Sequence, residues 1–168
     1  MALLAAGSLG NVYASLDLYL QTRLMDGAGL AVRLHGVRRF VPPIDDPWVE
    51  THYDFLGLQS DFRRQIGAGV LATERQGYVQ LNVYQRARVF TTRYTTAAAR
   101  DLVVAAFPEG GLVPIYDVSG AVPDTPYTEA GVLILDGIQE HVQDTGIRSG
   151  IIQHVVQVVT RYLEHFTR

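Results

Sequence analysis

The chain has 168 residues, and neither cysteine nor lysine is among them. Without cysteine there is no disulfide framework and no thiolate chemistry, which fits synthesis in a reducing cytosol. All 14 basic residues are arginine; a GC-rich genome accounts for that bias, and arginine forks also suit protein interfaces better than lysine does. No apolar run approaches about 18 residues, so no membrane span is expected. The apolar start, Met1 to Ser8, has no basic flank and is too short for a secretory signal. No G-x-G-x-x-G follows a strand-like run, and the phosphate-loop and nucleophile-elbow signatures are missing. Gly67-Ala68-Gly69 is too short to count as a phosphate cradle. No enzyme activity and no cofactor are expected on these absences. There is no internal repeat, low-complexity segment or linker, and the length fits one domain over 1–168 that can bury a core without a metal or disulfide.

What is present is uneven. The net charge is −3, but residues 33–100 hold ten arginines against six acids, and residues 101–168 hold three arginines against nine acids. A basic middle and an acidic end allow head-to-tail pairing of copies; the bland alternative is that the two sets mix on the folded surface. Three arginine clusters stand near aromatic residues: Arg38 and Arg39; Arg63 and Arg64; Arg86, Arg88 and Arg93. They could touch phosphate, but a pI near 5.9 argues against a dedicated nucleic-acid binder. His52 and Asp54 share a strand face without a third ligand at a recognisable spacing, so a surface histidine is expected there rather than a metal site. Asp45 and Asp46 precede Pro47 and suit a turn better than paired acid–base work.

Along the chain, residues 11–26 read as a helix with Tyr13, Leu16, Leu20 and Leu24 on one face, Asn11 as N-cap and Gly27 and Gly29 at its end. A short strand follows at 30–34, then a loop in which Pro42, Pro43 and Pro47 exclude regular structure. Residues 48–55 alternate as a half-buried strand. Residues 59–68 suit an extended arm or a loop. A strand at 70–74 and a turn near Gln76-Gly77 lead into the clearest strand, Tyr78 to Tyr84. The second helix is expected at 94–107, capped by Thr92 or Thr95, with a stripe of Ala98, Leu102 and Ala105/Ala106. A short strand at 112–116 and a loop at 117–127 precede a long C-terminal β-hairpin: 131–142, a turn at 144–146, then 150–165. The second arm also fits a helix face, but its β-branched density favours a strand. The expected fold class is α+β: one domain with a mostly antiparallel, mixed sheet flanked by two helices.

The order of these motifs carries a resemblance. Pro47-Trp48-Val49-Glu50, then Gly77-Tyr78-Val79-Gln80-Leu81-Asn82-Val83-Tyr84, then Ala97 to Pro108 ending in Phe107, stand over residues 11–165 in an arrangement that resembles the tail terminator proteins of long-tailed bacteriophages. The family often has P-x-G soon after the glutamine-bearing strand, where this chain has Gln85-Arg86-Ala87-Arg88-Val89, and segment 117–128 is longer than expected. The resemblance implies a structural virion protein, assembled in the host cytoplasm and located at the tail or neck. It implies a homo-oligomeric ring, usually a hexamer, that caps the head-proximal end of the tail tube. Its partners would be further copies of itself, the tail tube protein and a head-tail connector or head-completion protein, with DNA only passing through the lumen. Candidate interface residues are Arg38, Arg39, Phe40, Asp45, Asp46, Trp48, Arg63, Arg64, Arg86 and Arg88, with Trp48 and Phe40 as apolar anchors. For Trp48 a core position is equally open. The alternatives are another neck, tail-completion or tube-associated protein of the same fold, or, from a different class, a small soluble α+β binding or enzyme module.

Overall fold

The computed structural model describes the backbone of residues 2–3, 9–67, 70–86, 92–118, 128–143 and 150–167, and the side chains of 9–55, 74–86, 95–118, 128–140 and 150–162. The first helix, α1, spans Leu9–Leu20 and runs on as a π-helical turn over Gln21–Asp26. Val12, Leu16, Leu20 and Leu24 are fully buried. Steps of four drift by about 40° each around an α-helix; the wider π turn takes that drift back and keeps Leu24 on the core side. The helix ends where Gly29 adopts a left-handed φ of 69° and Leu30 N–H donates to the Leu24 carbonyl at 2.9 Å. Gly27 stays right-handed, so only one of the two expected glycines makes the stop. Asn11 is not the N-cap. It lies inside α1, is 3% exposed, and its Oδ1 accepts from Val118 N–H at 3.2 Å. That bond ties α1 to the residue just past β5 and not to the start of its own helix.

The strands are β1 (Ala2–Leu3), β2 (Ala31–Arg33), β3 (Trp48–Gly67), β4 (Val70–Arg86), β5 (Leu112–Asp117), β6 (Thr128–Gln143) and β7 (Ile151–Thr167). They form one mixed sheet in the order β2-β3-β4-β7-β6-β5, with β1 added against the end of β7. Among the described strands only the β2–β3 pairing is parallel; the others are antiparallel. A parallel pair needs a long connection, and the proline-bearing loop 34–47 provides it. The segment 151–165, which also fitted a helix, is strand: β7 lies between β4 and β6, where β-branched side chains pack well. The turn expected at 144–146 and most of the loop at 117–127 lie outside the described residues.

One further expectation is corrected. There is no turn near Gln76-Gly77, because β4 runs unbroken through both. Gly77 is there for close approach instead: a Cβ would lie 2.3 Å from Phe55 Cδ1 and 2.5 Å from the Asp54 carbonyl oxygen. Of the two forms expected for 59–68, the extended arm is the one seen: β3 continues to Gly67 paired with β4, with three register shifts along the way.

The second helix, α2, spans Thr92–Ala106, but its buried face is Thr96, Ala99 and Val103, continued by Phe107. Ala98, Leu102 and Ala105 are exposed, and only Ala106 of the expected stripe packs, half-buried, against the core, so the stripe read from hydrophobicity lies one step round from the true one. Sequence pattern picked the larger apolar set; the sheet selected the face bearing small and β-branched residues, which lets the helix lie close. The capping role assigned to Thr95 is also not its bond: Thr95 Oγ1 donates to Gln85 Oε1 at 2.6 Å. The Thr92 side chain lies outside those described.

The core sits between one face of the sheet and the two helices. Val49, Tyr53 and Phe55 from β3, Val79, Leu81 and Val83 from β4, and Val156, Val158 and Tyr162 from β7 meet α1 and α2 there. α1 packs beside β5, and α2 packs over β4 and β7.

Candidate protein interface

Strand alternation sends every second side chain of β3, β4, β7 and β6 to the face away from the helices. On β3 these are Trp48, Glu50, His52 and Asp54; the paired residues of β4 are Tyr84, Asn82, Gln80 and Tyr78. The next strand adds Gln153, Val155, Gln157 and Val159, and β6 adds Gln139 opposite Gln157. This face has a polar floor held by side-chain amides. Gln153 Nε2 donates to Asn82 Oδ1 and to Tyr84 Oη, each at 3.3 Å. Gln80 Nε2 donates to Asn82 Oδ1 at 3.0 Å, and Gln157 Nε2 to Gln80 Oε1 at 3.2 Å. Amides carry donor and acceptor in one group, so they can bond across strands without a net charge. No described helix packs on this side.

Trp48 stands at one end of this floor. Its ring stacks on Tyr84 with centroids 5.5 Å apart and planes 27° apart. Its Nε1 donates to Glu50 Oε1 at 3.4 Å, and Glu50 in turn pairs with Arg33 at 3.4 Å. Trp48 is only 5% exposed, so it is a packed residue and not a projecting anchor. Burial first, and then the Glu50 carboxylate, push the Tyr84 hydroxyl above its usual range, so it stays protonated and able to donate.

The other expected site residues divide into two places. Arg38, Arg39, Asp45 and Asp46 are exposed and Phe40 is half-buried, all in the loop before β3. Arg38 lines a shallow groove with Arg33, Glu50 and His52. Arg86 is half-buried at the end of β4, two residues beyond the Trp48 partner Tyr84. Buried Gln85 fastens this end: its Nε2 donates to the Asp45 carbonyl at 2.8 Å, while its Oε1 accepts from Thr95 and from Thr96, the latter at 3.0 Å. Arg63 and Arg64 are far away, in the β3–β4 arm opposite Thr73 and Ala72, about 40–50 Å along the strand from Trp48 at ~3.3 Å per residue. Their side chains and all of Arg88 lie outside what is described. The structure thus joins the first, proline-loop cluster to Trp48 and Arg86 and separates it from the second.

Sequence reading passed over several exposed apolar residues. Val41 is 90% exposed and Ile44 57% in the same loop. On β5 and β6, Leu112 pairs with Ile134 and Pro114 with Val132, so these four share the open face; Leu112 is 63% exposed. The signal was present in Val41-Pro42-Pro43-Ile44, an apolar run that prolines keep out of strand and helix.

A third cluster lies at the core margin. Tyr53 Oη donates to Asp17 Oδ1 at 2.6 Å. His35 Nδ1 accepts from Tyr53 N–H at 3.1 Å, and the two rings stack at 4.9 Å. His52 reaches His35 edge-on at 6.2 Å and is exposed as expected. Burial raises the Asp17 carboxyl, against the lowering pull of the Tyr53 hydroxyl and His35. Burial and Asp17 push the Tyr53 hydroxyl far up, which leaves it a donor at any ordinary pH. Among the described residues no three His, Asp or Glu side chains converge as a metal site. No protein-family model matches the sequence, and no curated protein is similar to it.

Proposed function

We propose that this chain is a structural subunit of a long-tailed bacteriophage virion. It forms a ring of about six copies at the head-proximal end of the tail tube, ends tube polymerisation and presents a surface to the head connector. The family comes from the ordered motifs around Trp48, Gly77 to Tyr84 and Phe107. The observation that supports an assembly role is the one-sided sheet: helices on one face, and on the other a bonded amide floor beside exposed apolar residues. A broad, polar, pre-bonded sheet face suits contact with a large partner better than capture of a small molecule, which needs a concave and mostly apolar pocket.

The test has two parts. Light scattering with negative-stain images of the same peak is expected to give closed rings of about six subunits. Added to growing tail tubes, the protein is expected to stop further addition of tube subunits. Rings that leave tube growth unchanged point to another neck or tail-completion protein of the same fold. If the arginines of the arm help build the ring, Arg63→Glu combined with Arg64→Glu gives folded monomers; intact rings from that variant remove those two residues from the interface.

A further inference from the structure

Both outer edges of this sheet are only partly covered. On one side, β2 pairs with β3 over Trp48 to Glu50 alone, and Tyr53 N–H is taken by His35. Among the described residues no strand pairs with the outer edge of β3 from 56 to 67. On the other side, β5 pairs with β6 over Thr128 to Ile134, and the Gly110-Gly111 turn takes both the N–H and the C=O of Leu135. Among the described residues no strand pairs with the outer edge of β6 from 138 to 143. An unpaired strand edge is a template for another strand. The upper part of the β5 side is closed differently, because Ser15 and Asn11 of α1 accept from Tyr116 and Val118 N–H.

The two bare stretches lie at opposite corners. The row Asp54–Tyr78–Val159–Gly137 crosses the sheet; the bare part of β3 lies beyond it in one strand direction, and that of β6 beyond it in the other. β3 runs antiparallel to β4, β4 to β7 and β7 to β6, so β3 and β6 point in opposite directions. Two copies related by rotation about an axis roughly along the strands therefore meet antiparallel, β6 of one against β3 of the next. Bringing the corners together staggers the copies along the strands, and such a stagger is the shear that closing a sheet into a barrel requires.

We infer that neighbouring copies join through these corners: the 138–143 edge of β6 pairs antiparallel with the 56–67 edge of β3 in the next copy. The inference rests on the ring reading above and specifies its subunit contact. Charge agrees with it. The β3 stretch carries Arg63 and Arg64 against Asp61, whereas the β6 end carries Asp136 and Glu140 and no arginine. Those two carboxylates pair with Arg161 and Arg100 yet keep 31% and 33% of their side-chain surface exposed. The three register shifts in the β3–β4 arm coil it, which favours a partner of matched curvature over flat fibril stacking. Each copy offers one edge of each kind, so the contact is head-to-tail and can repeat until it closes.

The absence of cysteine makes the test clean. Gln139→Cys is combined in turn with Gln59→Cys, Ser60→Cys, Asp61→Cys and Gln65→Cys, each variant is checked for folding by circular dichroism, and a short bismaleimide is added to the full-length protein. At least one double variant is expected to give a ladder of covalent oligomers that stops at the ring size seen by native mass spectrometry, and no single variant any product. Rings without a ladder from any pair overturn the edge contact and leave the ring reading standing. Dimers from a single variant overturn it in favour of a two-fold contact. A ladder without a stop supports the edge contact and overturns the closed ring. Monomers without a ladder overturn both.

Discussion

Buried polar side chains tie the elements of this molecule together, and Gln85 is the clearest case. Only 5% exposed, it spends its amide on the Asp45 carbonyl and on two threonine hydroxyls of α2. Gln85→Ala removes three bonds at once, one of them to the buried Thr96, so a loss of roughly 1–3 kcal/mol in unfolding free energy is expected by denaturant titration. Asp17 gives a pH signature. Its carboxyl is raised by burial, so the folded chain holds that proton more tightly than the unfolded chain does. The stability this adds is complete below the unfolded carboxyl value of about 3.9 and is lost as pH rises through the raised folded value. Asp17→Asn keeps an acceptor for Tyr53 and removes the proton. The melting-temperature advantage of the wild type over the variant should therefore shrink from pH 3 to pH 6; a constant difference would show that Asp17 titrates alike folded and unfolded.

At the scale of elements, α2 separates pattern from packing. Leu102 is the largest apolar residue of the expected stripe but is 44% exposed, whereas Phe107 just beyond the helix is fully buried. Leu102→Gln should change stability by no more than about 0.5 kcal/mol, and Phe107→Ala should cost about 3–5 kcal/mol; equal effects in thermal unfolding would return the helix to the expected face. The strands were more legible. Alternation marks β3 from Trp48 to Phe55 and β4 from Tyr78 to Tyr84, and β-branching marks β7. Gly77 misled because a glycine between strand-like runs reads as a turn, while here it makes room for Phe55 on a neighbouring strand. Nothing local to residue 77 carries that information.

Viewed whole, the described residues form a mixed sheet with both helices on one face and, among them, no strand against two corners of its edges, and the proposed assembly role draws on that asymmetry. An introduced tryptophan can report on it: Leu112 is 63% exposed on the open face, so in Leu112→Trp ring formation that covers this face should shift the emission to the blue, while a contact confined to the strand corners should leave it nearly unchanged. The sequence by itself determined the α+β class, both helices and the strands at 48–55, 78–84 and 151–165, because periodicity and β-branching are properties of consecutive residues. Only the tertiary structure decided which face of α2 is buried, that Trp48 is packed, that Arg63 and Arg64 stand far from Trp48, and which strand edges have no neighbour among the described residues. Those depend on contacts between residues distant in the chain, such as Asn11 with Val118 and Gln85 with Asp45, and local pattern holds no record of which strands become neighbours.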